Sequence, residues 1–345
     1  MGMKAYVMRR VLLFIPTLLG VTLLIFAVLQ IFTPEERASA YIMGTPKDPS
    51  VIYRVIEKYH LNDPIPLQYY YWLTRALSGD LGIARSAGNI PVSVALLQGI
   101  PATLELVMFS IPSIAILGIY LGVKSAVNRD KAPDHIIRIF SIIGWSLPTF
   151  WSALILIAIF YGGLNWVSIG RLSNEAYAVV TSSNFIRYTR MNTIDGLLNG
   201  QLWITIDALE HLVLPVVNLT IVSVALIVRV MRSSMLEELS KGYVLTAKAK
   251  GLSNDVVINK HVKRNALIPV ITVTGVLTAG LLTGVVITET VFNYKGIGYF
   301  AAHAALQMDI PSVLGFALFV GLVYSLANLI VDITYAYIDP RIRLE

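Results

Sequence analysis

Six stretches of the chain contain no Asp, Glu, Lys or Arg: Val11–Phe32, Leu106–Val123, Ile139–Gly170, Leu212–Val228, Ala266–Thr288 and Ile310–Val331. Each reaches or approaches the ~20 residues that a helix needs to cross about 30 Å of hydrocarbon. Only helices and closed barrels satisfy their backbone groups in lipid, and runs this continuously apolar predict helices. Val11–Phe32 holds sixteen Leu, Ile, Val or Phe residues. At roughly −0.3 to −0.6 kcal/mol each, they favour the bilayer by about 5–10 kcal/mol. Leu212–Val228 is the weakest run, being short and interrupted by Pro215 and Asn218. Pro148 and Pro215 are expected to kink spans three and four. The first run is longer than a signal-peptide core of about 7–15 residues. No small-residue cleavage site follows it in Phe32-Thr33-Pro34-Glu35-Glu36, so it is expected to remain as the first span.

Between the runs, the polar positions fall into two long segments on one side and a basic loop on the other. Thr33–Pro101 has 69 residues and Gly162–His211 has 50. Loops beyond ~12–15 residues are uncommon unless they fold or function. Val51–Tyr59 and Leu67–Leu77 show helical spacing, with Gly79 ending the second. A small folded cap is therefore expected between spans one and two. Its aromatics, Tyr69–Trp72, suit either a bound ligand or partner, or an interfacial belt. The expected division is 1–32 for the N-terminus and first span, 33–101 for the cap, and 102–345 for the core spans.

Composition agrees with this pattern. Of 345 residues, 56% are hydrophobic and 14% charged, against about 25% charged in a soluble domain; mean hydropathy is +0.69. Cysteine is absent, which excludes disulfides and thiolate metal sites. The net charge of +6 is a matter of placement. Seventeen of the 27 Lys and Arg residues fall at the termini, between spans two and three, and between Arg229 and Arg264. The positive-inside rule puts those segments, and both termini, in the cytoplasm of a multi-pass cell-membrane protein. Nucleic acid is not an expected partner.

The cytoplasmic loop 229–269 has internal order. Helix four should leave the membrane near Arg229 and Arg232 and run to about Glu238. Ser240 is placed to cap a helix reaching Lys250, with Gly251 as its left-handed terminus. Ser253 can cap a second helix that has Asp255 in its first turn and leads through Asn265 to Pro269. Without a Cβ, Gly251 permits a sharp reversal, so the helix before it protrudes as a knob. Lys248, Lys250, Lys260, Lys263 and Arg264 also suit anionic lipid headgroups, at about 1 kcal/mol each. That reading leaves two capped helices around a glycine without a purpose.

The stretch Tyr243-Val-Leu-Thr-Ala-Lys-Ala-Lys-Gly251-Leu-Ser, followed by His261 and Asn265-Ala-Leu-Ile-Pro269, resembles the loop of importer permeases of the ATP-binding-cassette class, peptide/nickel branch. Further segments match in order: Arg9-Arg10-Val-Leu-Leu-Phe-Ile-Pro-Thr-Leu-Leu-Gly20, Leu61-Asn-Asp-Pro-Ile-Pro-Leu-Gln-Tyr69, Gly79-Asp-Leu-Gly82, Pro101-Ala-Thr-Leu-Glu-Leu106, Ala327-Asn-Leu-Ile-Val-Asp332 and Ile338-Asp-Pro-Arg-Ile-Arg-Leu344. The resemblance covers nearly the whole chain. It implies an all-α polytopic permease of six transmembrane helices, a second homologous permease, two cytoplasmic ATPase subunits and an external solute-binding protein. Tyr243, Thr246, Ala247, Lys248, Ala249, Lys250, Gly251, Leu252, Ser253, His261, Asn265 and Pro269 would form the ATPase-coupling loop. The implied cargo is di- or oligopeptides, with oligosaccharides, nickel or glutathione as alternatives. There are departures: the family's opening acidic residue falls at Leu245 and the alanine after it at Thr246. The later Leu-Pro pair falls at Lys263-Arg264, and the external turn reads Phe292-Asn-Tyr-Lys-Gly296-Ile-Gly298 without its usual proline.

Catalytic signatures are absent from the sequence. No G-x-x-x-x-G-K-[ST], H-E-x-x-H or G-x-S-x-G occurs. Gly296-Ile-Gly298 is a lone G-x-G. His60, His135, His211, His261 and His303 lie in expected loops or at span edges without ligand spacing. A non-enzymatic subunit without cofactor is expected. Glu105 and Glu289 fall at the outer ends of spans two and five, and Asp332 near the inner end of span six; each suits an interfacial pair, or, for Glu105 and Glu289 together with Asn328, the pathway's outer mouth. Asn218, Thr278 and Thr283 could add polar contacts within the spans. A secondary transporter would carry acids at mid-membrane or an inverted repeat, and neither is found. A DNA-binding helix-turn-helix would need a free recognition helix, whereas Arg229–Pro269 is tethered at both ends.

Overall fold

The computed structural model describes residues 3–42, 48 and 50–338, with side chains from residue 8 to residue 330. The tail beyond Ile338 and the Asp332 side chain, both of which entered the sequence reading, lie outside that description.

In chain order, α1 (Met3–Leu29) is the first apolar run. A capping box opens α2 (Pro34–Ser39): Thr33 Oγ1 accepts from the Glu36 amide, and Glu36 Oε2 accepts from the Thr33 amide. Next come α3 (Ser50–Lys58) and α4 (Ile65–Leu77), the two helices expected of the cap. A short antiparallel pair, β1 (Ile83–Ala84) and β2 (Ile90–Pro91), leads into α5 (Val92–Val127). Then α6 (Ala132–Ser146) and α7 (Thr149–Leu156) meet at a 103° bend across Leu147-Pro148. Two short helices, α8 (Asn174–Val180) and α9 (Asn192–Leu198), precede α10 (Leu202–Leu239). They are followed by α11 (Gly242–Ala249), then α12 (Asn254–Val256), which winds wide over Val257–Val262 and continues as α13 (Lys263–Leu282). Last are α14 (Val286–Val291), α15 (Ile297–Leu306) and α16 (Ile310–Ile338).

Five helices are long and apolar enough to cross a membrane, and the bent α6–α7 pair makes a sixth span. This is the expected all-α polytopic architecture. Four boundaries differ from expectation. Span two begins at Val92, because a helix accommodates both Pro101 and a Glu105 whose carboxylate has partners. Span three is broken rather than kinked, since the residue before Pro148 is driven to extended backbone (Leu147 ψ 127°). The helix of span four starts at Leu202, so His211 is a buried helix residue rather than a loop residue. Span five stops at Leu282, which places Glu289 on the separate α14.

The chain divides into two compact units: in the main, Met1–Thr103 with Leu282–Ala336, and Leu104–Leu281. In the first unit, Ala38 of α2, Ile56 of α3 and Leu61 form a small apolar cluster, and Phe26 of α1 packs on Tyr69 and Trp72 of α4. In the second, α10 is the central helix: 56% of its most apolar stretch is buried. The weakest run in the sequence is therefore the most enclosed. Its Asn218 is buried and accepts from Ser152 Oγ at 2.6 Å, and the helix passes through Pro215 uninterrupted. Neighbours come close because they present glycine. A Cβ on Gly118 would lie 2.6 Å from Ile227, and one on Gly144 would lie 2.7 Å from the Ile221 carbonyl oxygen. Small residues at such crossings let backbones approach in lipid, where no hydrophobic force drives helices together.

Candidate functional site

The polar loop after α10 is a short helix held at both ends. Ser240 terminates α10 and does not start α11: its backbone is helical (φ −85°, ψ −8°), and its Oγ donates back to the Glu237 carbonyl at 2.7 Å. A helix N-cap requires extended backbone, and Lys241 supplies it (φ −75°, ψ 147°). The expected Ser240 cap is thus corrected by one residue.

At the far end the chain reverses as the sequence led us to expect. Gly251 sits at φ +80°. Its N–H bonds to the Lys248 carbonyl at 2.9 Å and that of Leu252 to the Ala247 carbonyl at 3.3 Å. This pair of bonds is a Schellman terminus. Ser253 then caps α12, its Oγ accepting from the Val256 amide at 3.5 Å. Asp255 lies in the first turn, where the helix dipole favours it, and accepts from Asn259 Nδ2 at 2.8 Å.

One acid fastens the knob. Glu238, on the last turn of α10, accepts from Lys241 Nζ and from Tyr243 Oη, the latter at 2.7 Å. Tyr243 Oη in turn accepts from Asn265 Nδ2 at 3.3 Å, which brings in α13. Partial burial and the Glu238 carboxylate raise the Tyr243 pKa. The same carboxylate raises that of Lys241. Val244 and Ala247 are buried, and α11 packs on the wide turn 257–262, whose Val257 and Val262 are buried too. Leu245, 73% exposed, faces away together with Thr246, Lys248 and Lys250.

Ten of the twelve sequence-selected residues, Tyr243 to Ser253 and His261, thus lie on α11, its turn and the wide turn beyond. Asn265 joins through Tyr243. Pro269 lies inside α13, not at its start. Sequence reasoning missed Glu238 and Lys241. The available signal was an acid three residues before a lysine at a helix end.

Residues 114–344 match the family described as binding-protein-dependent transport system inner membrane component. The chain belongs to that family. It is 36% identical to the dipeptide transport system permease protein of Alkalihalophilus pseudofirmus, over 99% of this chain and 100% of the relative. It is 36% identical to the di/tripeptide transport system permease protein of Pseudomonas aeruginosa, over 99% of both chains. The oligopeptide transport system permease protein of Bacillus subtilis is 34% identical, over 99% of this chain and 100% of its own.

This membrane component holds the remaining selected residues differently from the loop. Glu105 is 1% exposed. It accepts from the Thr193 amide at 2.7 Å and hydroxyl at 2.9 Å, and from Arg171 Nη2 at 2.6 Å. Glu289 is fully buried and accepts from Thr103 Oγ1 at 2.7 Å and the Tyr299 amide at 2.9 Å. Both carboxylates are engaged by their own unit, as buried charges must be. Asn328 is exposed on α16, in a cleft shared with Arg10, Thr17 and Ser325. The sequence reading counted Arg232 only as a topology signal. Here it grips the buried Asp134 through Nε at 2.8 Å and Nη2 at 2.7 Å, tying α6 to α10.

Proposed function

We propose that this chain is one of two membrane subunits of an ATP-driven, binding-protein-dependent importer of di- and oligopeptides. The carrying observation is the knob: an eight-residue helix, closed by Gly251, fastened through Glu238, and presenting Leu245 with Lys248 and Lys250. A rigid helix can transmit a push where a flexible loop cannot. In this reading α11 and its turn, Thr246–Leu252, seat in a groove of a cytoplasmic ATPase subunit. ATP closes two such subunits, the knobs of this chain and a second permease move, and the spans rock open to receive cargo from an external solute-binding protein.

Peptide cargo rests on what the relatives are named for; oligosaccharides, nickel and glutathione remain outcomes of a transport assay. The chain itself catalyses nothing, and ATP is hydrolysed by its partners. Both termini and loop 229–269 are cytoplasmic. Residues 33–101 form an external cap between span one and the core spans of 102–345. Glu105 and Glu289 act as internal braces at the outer mouth, and Asn328 faces the lipid or the second permease.

Site-directed cross-linking tests this placement. A cysteine at Leu245, in a chain that otherwise has none, should cross-link to the co-expressed ATPase subunit, whereas one at buried Val244 should not. Equal cross-linking at both positions, or none at Leu245, contradicts the docking face.

A further inference from the structure

A cavity of about 110 Å³ lies in the first unit beside the cap, roughly tenfold the ~10–15 Å³ that one water needs. Arg37, Arg75 and Arg85 line it. Two of these guanidinium groups are incompletely used. Arg37 donates from Nη1 to Gln68 Oε1 at 2.7 Å and from Nη2 to the Leu61 carbonyl at 3.0 Å, yet its Nε is buried without a partner. Arg75 donates from Nε to the Tyr71 carbonyl and lies over the rings of Tyr41 and Tyr59, yet its Nη1 is buried without a partner. The acids on the same wall are engaged elsewhere. Asp309 accepts from Ser86 and Ser312, and Glu36 from the Thr33 amide. Partial burial lowers the Arg37 pKa, against the opposing pull of Tyr41 and Glu35.

Buried polar groups in native proteins are almost always hydrogen-bonded, so an unpartnered N–H on each of two arginines that line one cavity points to an absent acceptor. We propose that this cavity binds the phosphate of an anionic phospholipid, held between Arg37 and Arg75. Guanidinium matches the planar, multidentate geometry of phosphate oxygens. A lipid is favoured over a free anion by the apolar wall. Phe26 and Leu29 belong to the last turn of α1, and Leu314 and Leu318 to the first turns of α16. Both helices are apolar enough to span, and their ends mark the depth at which headgroups sit. The bound lipid would pin the cap to the membrane surface. The proposal holds whichever side of the membrane the cap faces, and so stands apart from the docking of α11.

The test titrates the purified full chain in detergent with phosphatidylglycerol, phosphatidylcholine or inorganic phosphate, reading lipid retention by native mass spectrometry and the thermal unfolding midpoint in parallel. Wild type should retain a single phosphatidylglycerol and gain thermal stability from it. Arg75→Gln and Arg37→Gln should each weaken retention about tenfold, and Arg54→Gln on exposed α3 should leave it unchanged. Equal retention by wild type and Arg75→Gln overturns the site. Equal retention of phosphatidylcholine, or displacement of the lipid by inorganic phosphate, overturns the lipid assignment. Should both arginine variants fail to fold, the wild-type midpoint decides: no preference for phosphatidylglycerol over phosphatidylcholine ends the proposal.

Discussion

Tyr243 Oη donates to Glu238 Oε2 at 2.7 Å, joining the first turn of α11 to the last turn of α10. The bond makes a short helix, which could not hold its shape alone, into an extension of the longest helix among the described residues. Tyr243→Phe removes the hydrogen bond to a charged and mostly buried acceptor, and with it the weaker one that the hydroxyl accepts from Asn265. The expected loss is about 1–2 kcal/mol of local stability, read as faster amide exchange across 242–250 and weaker ATPase co-purification. Unchanged exchange would mean that packing by Val244 and Ala247 suffices.

The same cluster predicts a flat pH response across the neutral range. Lys241 and Tyr243 have pKa values raised above 10.5 and 10.0 respectively. A group raised in the folded state contributes fully below its unfolded pKa and loses that contribution as pH rises through the folded value. Knob protection should therefore be constant from about pH 7 to about pH 9 and fall only above about pH 10. A transition near neutrality would show that a different group governs the loop.

Gly251 has open space around its missing side chain, so its constraint is φ alone. Gly251→Val should cost about 1–2 kcal/mol through left-handed strain, reducing ATPase co-purification while membrane insertion stays intact. Gly251→Asn should lie between, since asparagine tolerates that conformation. Equal co-purification by all three removes the turn from the docking account.

The spans were legible because absence of charge over a membrane's thickness has one structural solution. The knob's closure was legible because Gly251 and Ser253 are local signals. What sequence left obscure were boundaries and long-range pairs. Glu105 made span two seem to start at Leu106 rather than Val92, because the Thr193 hydroxyl and Arg171 that donate to its carboxylate lie far along the chain. Asp134 and Arg232 are 98 positions apart, and nothing in either neighbourhood marks the partner. Ser240 looked like a cap because residue type was visible and its helical backbone was not.

The Asp134–Arg232 pair should matter more to stability than any exposed charge in the segments that join the spans. Asp134→Ala leaves a mostly enclosed guanidinium without its two-pronged partner, at a cost of about 3 kcal/mol. The thermal midpoint of the purified chain checks this. Lys250→Ala, an exposed change, should stay within about 0.5 kcal/mol of wild type.

Glu105 anchors the start of α9 through Thr193. Glu105→Gln should loosen the segment between α7 and α10, opening it to protease applied to the intact chain, with cleavage between residues 164 and 201. Resistance equal to wild type would show that Asp195, which accepts from the Thr189 and Arg190 amides, holds the segment alone.

The most direct measurement is labelled-dipeptide uptake into vesicles carrying this chain, its partner permease, the ATPase pair and the solute-binding protein. Uptake should require ATP and the ATPase pair together, and collapse when Leu245→Asp charges the exposed face of α11. Equal uptake with the ATPase omitted, or with Leu245→Asp at full rate, would contradict coupling through that helix.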